Sequence, residues 1–148
     1  ARDERPERLA LNRVLEDCLM TYWNSLEQRG ITPAISMPLQ PVMRILDPSS
    51  LSRIFINIIS NAVKYSDGDL MVTLTEEGTV TFTNHAAGLT PVIVEKLFDR
   101  FYTIESVSGS TGLGLSIARL LTERMGGFIN AACKEGELHI TVQFPKNP

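Results

Sequence analysis

A single helix, announced in the sequence from its first residue to its last, constrains this chain most. Asp47-Pro48 is a start signal, an N-cap acceptor followed by proline at the first helical position. Leu51, Ile54, Phe55, Ile58, Ile59 and Ala62 then recur at the spacing of one apolar stripe, which is a core face. Asn57, Asn61 and Lys64 follow the same spacing on a different stripe, with Tyr65 at the edge between the two. Asparagine is a mediocre helix former and is costly to bury without partners. Two of them one turn apart, with a lysine beyond, fit either a solvated face or a polar ligand. For a ligand the chemistry is specific: amide oxygens suit a hard cation such as Mg2+, and lysine is a point-charge partner for phosphate.

More than forty residues later, Thr111-Gly112-Leu113-Gly114-Leu115-Ser116 leads into a second helix, with Ile117, Ala118, Leu121 and Met125 in period and Gly126-Gly127 as its stop. Backbone amides at a helix N-terminus, made approachable by Gly112 and Gly114, are a ready anion site. Alone the segment is equally a flexible turn. It is neither the dinucleotide fingerprint, since Ile117 takes the third glycine's position, nor a P-loop, since no Gly-Lys-Ser/Thr follows. The two segments together describe a pocket for a magnesium-bound nucleotide.

Asn57 to Tyr65 resembles the N box of bacterial sensor histidine kinases, Leu97-Phe98-Asp99-Arg100-Phe101-Tyr102 resembles their F box, and Thr111 to Ile117 resembles their G2 box. Order and spacing match, and the similarity runs from about Arg8 to Phe144. The resemblance implies the catalytic and ATP-binding domain of the superfamily shared with gyrase, the Hsp90 chaperones and the mismatch-repair ATPases. Its Bergerat-type fold is α+β, a two-layer sandwich of one mixed sheet on about three main helices. It implies ATP contacts at Asn57, Asn61, Lys64, Tyr65, Asn84, Gly88, Leu89, Phe101, Thr111, Gly112, Leu113, Gly114 and Leu115. Asn57 and Lys64 take the catalytic positions and Asn61 the Mg2+ position. The loop Thr103 to Ser110 stands where the family carries its ATP lid, although its polar composition also suits an ordinary surface loop. Phe98, Phe101 and Tyr102 either clamp that lid, contact the separate helical hairpin that carries the family's phosphoacceptor histidine, or belong to local core.

Two departures stand out. The family's Asp-x-Gly-x-Gly G1 box is replaced by Asn84-His85-Ala86-Ala87-Gly88-Leu89. Asn84 is a neutral acceptor where a carboxylate is expected for the adenine amino group, and a neutral acceptor is weaker. Ala86 replaces the first glycine and would be strained if the backbone needed positive φ or close approach of a ligand there. The second departure is the phosphoacceptor. His85 lies in the altered box, and His139 lies in an alternating, strand-like run. The substrate histidine is therefore expected on a separate dimerisation domain of the same protein, with a response regulator downstream.

Asn57 also bears on mechanism. ATP-hydrolysing relatives carry a glutamate there, and an amide is no general base at neutral pH. This argues against an ATPase-driven clamp, and the separate F box argues against a serine kinase of the anti-sigma type. A degenerate member, reduced to a nucleotide sensor or scaffold by Asn84 and Ala86, remains the alternative to a kinase.

The 148 residues, 43% hydrophobic, suit one domain spanning residues 1–148. A net charge of −3 argues against a nucleic-acid partner. Cys18 and Cys133 lack metal-ligand spacing, and no apolar run spans a bilayer. A cytoplasmic domain, or the cytoplasmic part of a membrane-bound sensor, is expected, monomeric in isolation. The chain opens at Ala1 rather than a methionine, as expected of a fragment of a longer protein. A helix from Asn12, acting as its cap, to about Gln28 is also expected. Strands are expected at Ile31–Ser36 and Val42–Leu46, with hairpins at Leu70–Phe82 and around Glu135-Gly136.

Overall fold

A computed structural model describes residues 5–99 and 114–147. The helix that dominates the sequence is α3 (Pro48–Tyr65), and Asp47 caps it by accepting from the Ser50 N–H at 2.9 Å. Its buried residues are Leu51, Ile54, Phe55, Ile58, Ile59 and Ala62, the stripe that periodicity predicts. The stripe packs on a five-stranded mixed sheet. In spatial order the strands are β2 (Ala34–Ser36), β4 (Met71–Leu74), β5 (Thr79–His85), β7 (Glu137–Gln143) and β6 (Phe128–Lys134). The β2–β4 pair is parallel and the remaining pairs are antiparallel.

Alternation along the central strands buries Val72, Leu74, Val80, Phe82, Leu138, Ile140 and Val142. At the centre, the Phe55 ring lies 6.1 Å from Phe82 and 6.3 Å, edge-on, from Phe144. Each fully buried side chain of this size contributes about 1.5–3 kcal/mol. Helices α1 (Leu11–Thr21) and α5 (Gly114–Arg124), the latter preceded in the chain by the short α4 (Pro91–Glu95), flank α3 and complete the helical layer, as the α+β sandwich requires. The hairpin between β6 and β7 turns through Glu135 and Gly136, both at positive φ (53° and 80°).

Several local expectations need correction. Val42–Leu46 joins a separate ribbon, in which β3 (Met43–Leu46) pairs antiparallel with β1 (Glu7–Ala10). Asn12 caps nothing. It lies inside α1, its amide donates to Pro38 O (3.0 Å) and accepts from Val42 N (2.8 Å), and so fastens the proline-bearing turn. The helix it was to open divides at Tyr22, and α2 (Trp23–Gln28) follows as a separate turn. Beside the break the Thr21 hydroxyl donates to Asp17 O at 2.9 Å, a back-bond of the kind that bends helices. Strand β2 begins only after Pro33, which has no donor for a ladder. Strand β5 runs past Phe82 to His85, because Asn84 and His85 pair with Leu138 and Glu137.

Arg44 is buried with only carbonyl partners among the described residues. Its guanidinium donates to Met43 O, Phe144 O and Glu77 O, tying the β4–β5 turn and the chain after β7 to β3. Gly78, at φ +86°, is needed there, because a Cβ would collide with Arg44 and Phe144 O.

Candidate functional site

The polar stripe of α3 faces the beginning of α5. Asn57 and Asn61 are half-buried, Tyr65 likewise, and Lys64 is exposed. Asn57 Nδ2 donates to Gly114 O at 3.0 Å, so the two segments singled out in the sequence meet directly. With the nitrogen committed to α5, the oxygen is the atom of that amide available to a cation. α5 begins at Gly114, and Leu115 and Ala118 sink into the core, so the helix start is held rigidly beside Asn57. A Cβ on Gly114 would only touch Asn57, at 4.0 Å. Packing against the described residues therefore does not demand glycine there, whereas close approach of a ligand to the backbone would.

The altered G1 stretch forms the end of β5 and the turn after it. Asn84 is 3% exposed, on the inward face in line with Val80 and Phe82, and its Nδ2 donates to His85 O at 3.1 Å. Ala86 is buried and keeps negative φ, since Glu135 is the one non-glycine residue at positive φ among the described residues. The strain foreseen for a positive-φ backbone does not arise. Its N–H donates to Gly136 O at 2.8 Å, and Leu89 N returns to Ala86 O at 3.0 Å. Gly88 has nothing within 4 Å of where a Cβ would stand, so local packing does not require it either.

Sequence reasoning missed the loop that holds this stretch. Ser66 follows Tyr65 directly, and its hydroxyl accepts from Gly68 N and Asp69 N. Asp69 Oδ1 accepts from His85 N (2.7 Å), Asp69 Oδ2 lies 2.7 Å from His85 Nδ1, and Asp67 Oδ2 accepts from Ala87 N (2.8 Å). The hydrogen bond to Asp69, then its charge and those of Glu137 and Asp67, raise the His85 pKa above its ordinary value, against a smaller effect of burial. Burial pushes Asp69 upward, but the His85 amide, ring and charge together with Ser66 outweigh it and hold the carboxyl low. Ser66-Asp67-Gly68-Asp69 signals a turn in sequence, yet nothing in it names the partner of the two carboxylates.

Of the remaining expected site residues, Phe101, Thr111, Gly112 and Leu113 lie outside the described residues, as do Arg100, Tyr102 and the loop Thr103 to Ser110. Phe98 is half-buried against the core, with the Arg119 guanidinium 5.9 Å from its ring centre. His139 sits opposite Thr83, whose hydroxyl is 3.2 Å from its Nδ1. Cys18 is a core thiol, pushed up to about 11 by burial, and is unreactive in that state. A cleft of about 630 Å³ runs along β3 between Arg8, Glu76 and Lys146, and no expected site residue lines it.

Residues 46–148 match the model of the histidine kinase-, DNA gyrase B- and HSP90-like ATPases. The chain belongs to that family. Among curated proteins, this ATPase-family domain is 29% identical over 139 residues to sensor histidine kinase YcbM of Bacillus subtilis, covering 88% of this chain and 45% of that one. It is 28% identical over 148 residues to sensor protein VanSC of Enterococcus gallinarum, covering 95% and 41%. It is 33% identical over 125 residues to sensor protein kinase WalK of Staphylococcus saprophyticus, covering 77% and 20%. The chain thus spans less than half the length of these relatives. Among solved structures, the catalytic domain of histidine kinase ThkA superposes with a TM-score of 0.85 at 21% identity, covering 96% of each chain. Acinetobacter baumannii histidine kinase AdeS superposes at 0.80 with 20% identity, covering 99% of this chain and 70% of that one. Both share the α+β fold.

The donor set of the domain fits Mg2+ of one particular kind. The described residues contain no cluster of three or more His, Cys, Asp or Glu able to cage a metal. Magnesium bound to nucleotides needs no such cage, because phosphates and waters fill most of its octahedron and the protein adds one or two oxygens. Asn61 and Asn57 are oxygens of that sort. Among the described residues, no helix is long and apolar enough to cross a membrane.

Proposed function

We propose that this domain binds Mg-ATP between α3 and α5 and presents the γ-phosphate to a histidine on a separate dimerisation domain, as the nucleotide-binding half of a protein-histidine kinase. One observation carries the reading: the Asn57 amide closes on Gly114 O, joining the polar face of α3 to the start of α5. Asn61 would hold Mg2+, whose charge offsets that of the phosphates when it is bound. Lys64 would meet a phosphate, Tyr65 the base or ribose side, and the backbone from Thr111 to Leu115 the phosphates. Phe101 would flank the nucleotide from the F box, and Asn84, Gly88 and Leu89 would contact the adenine. Asn57 cannot deprotonate water, so hydrolysis is suppressed and phosphoryl transfer rests on positioning and charge neutralisation.

The acceptor would be a histidine on that separate dimerisation domain, and His85 and His139, with Nδ1 beside Asp69 and Thr83, are given no part in the transfer. The whole protein would pass the phosphoryl group to a response regulator from the cytoplasmic side, and the isolated domain would be monomeric. The degenerate-scaffold reading keeps both of its supports, Asn84 and the Ala86 methyl group, although Ala86 has negative φ and so adds no backbone strain of its own. Calorimetric titration of the purified domain with ATP, with and without Mg2+, tests the proposal. Saturable, Mg2+-dependent heat is expected, whereas no heat at millimolar nucleotide would leave the scaffold reading standing.

A further inference from the structure

We propose that Asp67, Asp69 and His85 are positioning residues, a latch that sets the base-contacting end of β5 and through it the affinity for nucleotide. The proposal rests on the Mg-ATP reading above.

The geometry extends the sheet by other means. The β4–β5 ladder ends with Met71 opposite Thr83, and continuing that register sets Asp69 opposite His85 and Asp67 opposite Ala87. Strand β4 has stopped by then, so carboxylates replace the missing carbonyls and accept the His85 and Ala87 N–H groups. Asp67 N closes the set by donating to His85 O at 2.8 Å. On the other side Gly136 O takes the Ala86 N–H. Three successive backbone donors beyond Asn84 are therefore fixed, two of them by side chains of one short loop. That loop leaves the C-terminal end of α3, where Arg29 donates to Val63 O and Ser66 O, so the latch joins the asparagine helix to the adenine end.

The latch titrates. From the loop after α3, Asp67 and Asp69 face His85. From β7 it faces Glu137, 3.6 Å from Nε2, whose other oxygen is 3.6 Å from His139. Lys134 of β6 is opposite Glu137 in the ladder. With its pKa raised, His85 keeps the latch fully charged below its ordinary value of 6.5, and the charge is lost as pH rises through the raised value. Asp69, whose pKa is lowered, keeps its charge above 3.8 and loses it in acid below that. The latch is thus tightest between those two limits.

The test is ATP affinity, measured with Mg2+ by calorimetry between about pH 5 and 8. It is paired with NMR titration of the His85 ring in the nucleotide-free protein. Relative to His85→Asn, wild-type affinity should weaken by about threefold across the range, the scale of exchanging a charge-assisted for a neutral hydrogen bond. His85→Asn keeps an amide donor near the place of Nδ1 without titrating, so it should match the wild type's affinity at high pH and show only the nucleotide's own phosphate titration, near about pH 6, below that. Asp67→Ala should bind ATP more weakly at every pH and keep the slope. A His85 ring that titrates at its ordinary value, unmoved by Asp69→Asn, overturns the latch. A raised titration with a wild-type pH profile of ATP affinity that parallels His85→Asn, and affinity unchanged in Asp67→Ala, overturns the positioning role while ATP binding stands. A raised titration with no ATP binding at any pH overturns the Mg-ATP reading and the positioning role with it, and leaves only a structural latch.

Discussion

At the α3–α5 end of the candidate pocket, a side chain closes on a backbone already held by core, whereas at the β5 end side chains hold the backbone itself. Asn57 reaches Gly114 between two helices whose buried residues, from Ile54 to Ala118, fix their spacing whether or not that hydrogen bond forms. The segment from Asn84 to Leu89 has left the sheet by Ala86, and its position depends on Asp67, Asp69 and the Gly136 carbonyl. The first end should therefore survive single polar substitutions structurally and fail only in binding. The second should lose shape and affinity together.

Substitution of the shared support has the largest expected effect. Phe55→Ala removes the ring lying against Phe82, two residues before Asn84 on β5, and should cost about 3–5 kcal/mol in urea unfolding. Because Phe55 underlies both ends, it should abolish any difference between them. Next comes Asn57→Ala, which removes one neutral hydrogen bond worth about 1 kcal/mol of stability. If the amide serves a metal-bound nucleotide, ATP affinity should fall at least about tenfold, or 1.4 kcal/mol. A loss of stability with unchanged affinity would make Asn57 a helix clamp only. The smallest effect is expected of Ala86→Gly, because no left-handed backbone waits for a glycine there. Thermal unfolding should show a loss of about 0.4–1 kcal/mol and calorimetry an unchanged ATP affinity. Tighter binding would mean that the family's glycine serves the ligand directly.

The difference between the two ends also explains what could be read from the residues alone. Periodicity and capping are local, so α3, its buried stripe and its start at Asp47 were legible, and the chemistry of the amide stripe and the glycine turn paired the two segments, though not the contact between Asn57 and Gly114. Hydrogen bonds from a polar side chain to a distant backbone leave no period. Asn12 was misread as a cap for that reason, when it ties down the turn before Val42. Asp67 and Asp69 go unsignalled for the same reason, because nothing local names their partners at the end of β5. Ala86 carried an expectation of strain for positive φ or for close approach of a ligand; the backbone keeps negative φ, so only the second bears on binding.

The most direct test follows side-chain and backbone amide resonances while ATP and Mg2+ are added together. The account predicts shifts in the side-chain amides of Asn57, Asn61 and Asn84 and in the Leu115 N–H, at one common affinity. Asn24 on α2 and Asn130 on β6, both exposed, should stay still. Shifts confined to Arg8, Ile45 and Asn147 along the β3 cleft, or shifts in Asn57 without Asn84, would contradict it.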